Sequence, residues 1–213
     1  MLNLQNLQGE NTGFKPLNPG INIPAKLTSV EFKKDKDGAQ TQDLSFNFEG
    51  TDAGNQGSFN FIIWASTFDA NHQSYSEDGL KRTIAQIKHI LAAFMDEAIV
   101  LKVQGKNWLE FATNIVKALT KYGIGKDCKL KVILDNKDRL SFPLYPDFIV
   151  TDKTPNRILR LSNKINPKTN QPYDRITSLP VQQTSVEISS PSAPANLFDM
   201  AEPSINAGDD LPF

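Results

Sequence analysis

Six basic residues at outward strand positions, Lys26, Lys33, Lys34, Lys129, Lys131 and Arg139, and two aromatic ones, Trp64 and Tyr145, are of types that suit one ligand together. Ammonium and guanidinium groups neutralise phosphates, and flat rings stack on unpaired bases. A single nucleic-acid strand exposes both. Such pairing gives on the order of 1–3 kcal/mol per stacked base with little sequence preference. Each residue also has a plainer role: an outward lysine is ordinarily a solvated charge, and Trp64 suits packing beneath a helix equally well.

Other chemistries find little support. There is no P-loop and no dinucleotide-binding glycine fingerprint, and no histidine sits near a nucleophile. Gly123-x-Gly125 reads as a helix stop, and the paired carboxylates Asp135 and Asp138 read as caps of a turn. One cysteine, Cys128, and two histidines, His72 and His89, do not make a zinc site. Cys128 reads as a small core residue. We expect no catalytic residues, no metal, no cofactor and no enzyme activity.

The outward positions are defined by the elements that carry them. Residues 20–34 read as a long strand with Ile21, Ile23, Ala25 and Leu27 on one face. The phase then slips, because Val30 and Phe32 form the next apolar pair, and a slip near Thr28-Ser29 predicts a β-bulge. After a polar turn at 35–38, residues 43–49 alternate with Leu44, Phe46 and Phe48 inward, and Ser45 and Asn47 outward. Residues 58–65 put Phe59, Phe61 and Ile63 on one face and Asn60, Ile62 and Trp64 on the other. Ser74 and Glu77 have capping-box spacing. Leu80, Ile84, Ile87, Leu91 and Phe94 then step as one helical face.

Ile99, Leu101 and Val103 alternate and suggest a short extended piece. A second helix from about Lys106 presents Trp108, Phe111, Ile115 and Leu119, flanked by Ala112 and Val116, and stops at Gly123. Trp108 reads as core. Residues 127–134 predict a fourth strand, with Cys128, Leu130, Val132 and Leu134 inward and Lys129, Lys131 and Ile133 outward. Residues 139–145 predict a fifth, with Leu140, Phe142 and Leu144 inward and Tyr145 outward. Pro143 implies an edge or a strand end. Three strands, two helices and two more strands give a mainly β fold with an α insertion. This is the element order of an OB-fold, a five-stranded, partly open Greek-key barrel, over residues 20–150. Residues 1–19 read as an N-terminal arm from which Phe14 and Leu17 dock.

Charge is unevenly placed. All 23 Lys and Arg lie at or before Arg175, with 19 of the 24 acids, which leaves that part at +4. The remainder holds five acids and no base. Residues 151–178 form a basic extension. Between Pro155 and Arg175 it carries Arg157, Arg160, Lys164, Lys168 and Arg175 against the single acid Asp174. It suits either a longer path for a polyanion or a segment folded onto the barrel. Residues 179–207, rich in Ser, Pro, Ala, Gln and Asn, read as a disordered, flexible linker.

The chain ends Gly208-Asp209-Asp210-Leu211-Pro212-Phe213. Two carboxylates precede an apolar end that proline keeps extended, and the terminal carboxylate sits beside the Phe213 ring. This is the chemistry of a peptide ligand for a pocket with a basic rim. The terminal Asp-Asp-Leu-Pro-Phe resembles the acidic tip of bacterial-type and bacteriophage single-stranded-DNA-binding proteins, and the element order over 20–150 resembles the phage type. The resemblance implies a DNA-binding barrel whose tip, residues 208–213 with Asp209, Asp210, Leu211, Pro212 and Phe213, recruits replication or repair proteins. The charge division adds that tail acids can occupy the basic groove until DNA phosphates displace them.

We weigh two alternatives: an OB-fold RNA-binding or adaptor protein, and a strand-annealing recombination protein. No run of about 18 apolar residues suggests a membrane span, and the first residues lack a signal-peptide pattern. A cytoplasmic location is expected, in the host cytoplasm or the nucleoid if the chain is phage-encoded. Homo-oligomerisation is left open.

Overall fold

The computed structural model describes residues 15–145, 147–167 and 170–177. Phe14, the linker and the tip Asp209–Phe213 lie outside the described residues. The elements run β1 (Gly20–Lys34), β2 (Gln40–Gly50), β3 (Ser58–Ile63), α1 (Glu77–Phe94), α2 (Glu97–Val100), α3 (Trp108–Tyr122), β4 (Asp127–Leu134), β5 (Leu140–Ser141), β6 (Ile149–Val150), β7 (Ile165–Asn166) and β8 (Gln171–Pro172). The first six strands form one antiparallel sheet, curled into half a barrel, in the order β3-β2-β1-β4-β5, with β6 paired to β4. Among the described residues no helix is long and apolar enough to cross a membrane.

Strand β1 makes the curl. Its first half pairs with β4, from Ile23 opposite Leu130 to Lys26 opposite Asp127. Its second half pairs with β2, and the register shifts between Leu27 and Ser29. The extra residue is Thr28, where the phase slip predicts a bulge. Thr28 Oγ1 donates to the Asn47 carbonyl at 3.1 Å. The bulge lets Leu27 and Val30, three apart, both point inward, and both are buried. A bulge also bends and twists its strand, so one chain can serve two sides of the sheet.

The core is aromatic on the β2–β3 side. Phe46, Phe48 and Phe59 are buried, as are Phe142 and Phe148 from the end of the sheet. The Phe142 ring meets Phe59 and Phe61 at 4.9 Å, Phe148 at 4.3 Å and Phe48 at 5.6 Å. These rings pack β5 across to β3, with which it shares no ladder. The arm also serves this side. Leu17 is buried, its N–H donates to the Ser58 carbonyl at 3.0 Å, and the Ser58 N–H donates to Lys15 at 2.8 Å.

Several expectations change on folding. The fifth strand does not run through Tyr145: it ends at Ser141, and the chain leaves the sheet at Pro143, which has no N–H to donate. The Pro143 carbonyl accepts instead from Gln86 Nε2 of α1 at 2.8 Å. Leu144, expected inward, is therefore exposed. Helix α1 is capped by Ser76, whose Oγ accepts from the Gly79 N–H at 3.1 Å. Ser74 turns to His72 Nδ1 at 2.7 Å. Residues 97–100 make a helical turn, not an extended piece, so three helices stand where two were expected. Val100 is the buried residue of that turn and Leu101 is exposed. Ile84 is also exposed, although α1 buries Ile87, Ile90, Leu91 and Phe94.

Two glycines fix the loop between β2 and β3. A Cβ at Gly50 would lie 1.9 Å from the Asn55 carbonyl oxygen, and one at Gly57 would lie 2.5 Å from the Pro16 carbonyl oxygen. At Gly54 the nearest atom is a side-chain oxygen at 3.8 Å. Gly50→Ala and Gly57→Ala should each cost about 1–3 kcal/mol by overpacking against backbone. Gly54→Ala should stay within about 0.5 kcal/mol. Urea unfolding of the three variants checks this ordering.

His89 on α1 is buried against the Phe148 ring at 4.6 Å. Its Nε2 accepts from the Phe148 N–H at 3.4 Å, with Asp147 Oδ1 at 3.9 Å. Burial, helped by the nearby Arg157 cation, lowers its pKa to about 4. The folded state therefore holds the neutral ring, and the unfolded state takes up the proton first as pH falls. Stability should decline from about pH 6.5 down to about pH 4 and then level off. In His89→Gln that part of the decline should vanish, which thermal midpoints across the interval would show.

Candidate nucleic-acid interface

Strand β3 delivers Trp64 to the surface. Ile63 is buried and Trp64, the next residue, faces the other way, 50% exposed. The chain then turns through a short 3-10 helix, Ala65–Phe68. The Ala65 N–H donates to Asp43 Oδ1 at 2.9 Å, which pins this turn to β2. Phe68 stacks on Trp108 of α3 at 4.1 Å, and Trp108 Nε1 donates to the Gln42 carbonyl at 2.7 Å. Trp108 thus has a structural position, as the helical spacing suggests. This turn positions the backbone at Trp64, and half of the residue stays exposed.

Lys33 Nζ lies 4.6 Å from the Trp64 ring centroid, a cation–π distance. Lys34, exposed, is the last residue of β1 and pairs with Gln40. One cation and an indole therefore meet at the end of β1, with the exposed Lys34 next along the strand. Beside them the outward face of β1–β3 is mostly polar, with Ile62 and the Glu31 carboxylate, which accepts from Asn47 Nδ2 at 3.3 Å, among its side chains. Asn47 Nδ2 donates to Ser29 Oγ at 2.7 Å, and Ser45 Oγ donates to Asn60 Oδ1 at 2.9 Å. This covers the outward Ser45 so well that it is buried.

The other candidates are placed differently. Lys26 is paired with Asp127 at 3.7 Å and lies opposite Glu49 in register. Lys129 is exposed between Pro24 and Val150. Arg139 is exposed, but its Nη2 bonds Asp135 Oδ2 at 2.6 Å and its Nε the same oxygen at 2.8 Å. Burial alone would raise the Asp135 carboxyl. Hydrogen bonds from Arg139 and the Lys137 N–H outweigh it and hold the group below the usual carboxylate range. Asp135 and Asp138 do close the turn, through the Lys137 and Arg139 N–H groups and the Asp138 φ of 56°.

Lys131 departs most from expectation. It is buried, not outward-facing in solvent, because the segment after β6 folds across β4. Its Nζ donates to Asp174 Oδ2 and to the Arg160 carbonyl, each at 2.9 Å. Ile133, also expected outward, is buried by the same covering. Leu159 is buried, and the Leu134 N–H donates to the Arg175 carbonyl at 2.7 Å. Arg175 is itself buried. Its guanidinium bonds the Asp135 carbonyl, Asp138 Oδ1 at 2.5 Å and the Thr177 carbonyl at 3.2 Å. The basic extension therefore folds onto the sheet, and Arg175 serves as its fastener.

The same covering leaves a groove of about 600 Å³ in which Tyr145, 61% exposed, faces residues 158–174. Arg160, Lys164 and Tyr173 line it with Lys131 and Asp174. The basic composition of 157–168 and the outward aromatic Tyr145 are the signals in the sequence for this groove. Tyr173 carries none, because its place depends on the β7–β8 hairpin.

Cys128 is buried and burial pushes its thiol up to about 12, as fits a small core residue. Among the described residues, no three His, Cys, Asp or Glu lie close enough to hold a metal ion.

Removing one partner of a buried ion pair leaves an uncompensated charge. Asp174→Ala should cost about 3 kcal/mol or more for that reason. The double variant Lys131→Met/Asp174→Leu should recover a large part of the loss. A double-mutant cycle by urea unfolding measures the coupling.

Comparison of the chain with protein-family models, with curated proteins and with solved structures returned no match.

Proposed function

We propose that this chain is an OB-fold protein that binds single-stranded DNA without strong sequence preference. It would protect the strand during replication, recombination and repair, and recruit replication or repair enzymes through its acidic C-terminal tip. The observation that carries the reading is Trp64, half-exposed, with Lys33 at 4.6 Å and Lys34 beside it on β1. The exposed part of Trp64 offers a stacking surface for a base, and the two ammonium groups offer phosphate contacts. The backbone of the indole is already fixed, so binding need not order it.

The sheet supports the OB-fold part. Three hairpin-linked strands with a fourth beside the first is the Greek-key order. The helices fall between β3 and β4, where the expected α insertion belongs. The mostly polar outward face of β2 and β3 beside Trp64 corresponds to the surface on which OB-folds take oligonucleotides. Asn and Ser side chains there can hydrogen-bond any base without selecting one.

Oligo-dT should quench the tryptophan emission in a salt-sensitive way, and duplex DNA of equal length should not. Trp64→Ala should weaken binding by on the order of 1–3 kcal/mol and remove most of the quenching. Trp108→Phe should keep both, because Trp108 is committed to Phe68 and Gln42. Titrations of the three proteins at two salt concentrations decide it. No oligo-dT binding by the unaltered chain would overturn the proposal.

A further inference from the structure

The groove between the end of β5 and the folded extension is separate in construction from the Trp64 face, and its chemistry is also that of a nucleotide site. Tyr145 is largely exposed on one wall. On the other, Lys164 and Tyr173 are cross-strand neighbours at the base of the β7–β8 hairpin, where the Tyr173 N–H donates to the Lys164 carbonyl at 3.0 Å. Arg160 and Lys164 are exposed, and neither has a carboxylate partner among the described residues. The two acids of the groove differ, Asp174 being paired within it and Asp147 lying against His89, which is neutral above about pH 4. Asp174 accepts from Lys131 and from the Ser162 N–H at 2.7 Å, and Asp147 lies 3.9 Å from His89.

The floor adds a more specific sign. An ammonium group has three N–H donors. Lys131 Nζ gives one to Asp174 and one to the Arg160 carbonyl. The third has no acceptor among the described residues, although the side chain is only 7% exposed and lines the groove. A buried cation with a donor to spare beside a cavity favours an acceptor from outside. The cavity, about 600 Å³, falls within the range of sites that enclose small ligands.

We propose that this groove takes one or two nucleotides of the bound single-stranded DNA as a second contact site. Tyr145 and Tyr173 stack on bases, Arg160 and Lys164 neutralise phosphates, and Lys131 Nζ donates to an oxygen of the nucleotide. This rests on the single-stranded-DNA reading given above. The extension then folds onto the sheet and lengthens the DNA path as well, which are the two roles its composition left open.

The test uses the full chain and labelled oligo-dT of roughly 8 and roughly 30 nucleotides, one within and one beyond the range of about 4–16 nucleotides for a single OB-fold. Tyr145→Ala/Tyr173→Ala should weaken binding of the longer strand by roughly tenfold or more. Arg160→Ala/Lys164→Ala should lower the slope of log K against log salt by about 1.4, at about 0.7 per phosphate contact. Both pairs are solvent-accessible, and circular dichroism would report any loss of fold. Photocrosslinking of the unaltered chain to halogenated oligonucleotide should label the peptides holding Tyr145 or Tyr173 as well as that of Trp64. Unchanged affinity and slope, with crosslinks at Trp64 alone, would overturn the second site and leave the first intact. Failure of the unaltered chain to bind oligo-dT at all would remove both.

Discussion

One extra residue in β1 sets the shape of the whole sheet. Without the shift at Thr28, inward residues would alternate strictly and either Leu27 or Val30 would point at solvent. With it, residues up to Lys26 lie beside β4 and those from Ala25 onward beside β2, and Ile23, Ala25, Leu27 and Val30 are buried although Ile21, expected inward, is exposed. The bend that results brings β3 and β5 near enough for Phe59, Phe61 and Phe142 to touch. It also puts Lys33 on the outward side, where Trp64 can reach it. The candidate interface is therefore a consequence of how the core phase is kept.

The second organising fact is that β4 has two faces covered. Its inward face meets the core and its outward face meets the extension, so its last five residues from Leu130 to Leu134 are all buried. Polar groups in such a place must be matched. Lys131 is matched by Asp174, and the Leu134 N–H by Arg175. Five basic residues between Pro155 and Arg175 suggest a polyanion surface by composition, yet those among the described residues, which leave out Lys168, divide by role. Arg175 fastens, while Arg160 and Lys164 stay outward.

Local signals held for several elements and failed at others: the 99–103 alternation gave way to a helical turn, Ser76 rather than Ser74 caps α1, and Ile21 is exposed. The alternation in β2, the phase slip in β1 and the period of α1 and α3 are patterns of neighbouring residues, and the elements follow them. Expectations changed where a distant segment intervened. Nothing near Lys131 announces that Asp174, 43 positions on, will bury it. Pro143 signalled a strand end, but the contact that takes its carbonyl lies 57 positions back at Gln86. At the interface, Trp64 and Lys33 could each be named from strand phase, whereas their proximity depends on pairing across three strands. Tyr173 could not be named, because the hairpin that presents it is only two residues deep on each side.

The dependence of β4 on Arg175 bears on the order in which the protein is made. A ribosome releases β4 some forty residues before the segment that completes it. Until Asp174 and Arg175 emerge, the nascent strand carries a lysine without its counterion, an open N–H at Leu134 and an uncovered Ile133. The sheet is thus finished by its own late-arriving flank, and a chain cut after Val150 would leave the same strand permanently undressed and prone to pair with another molecule.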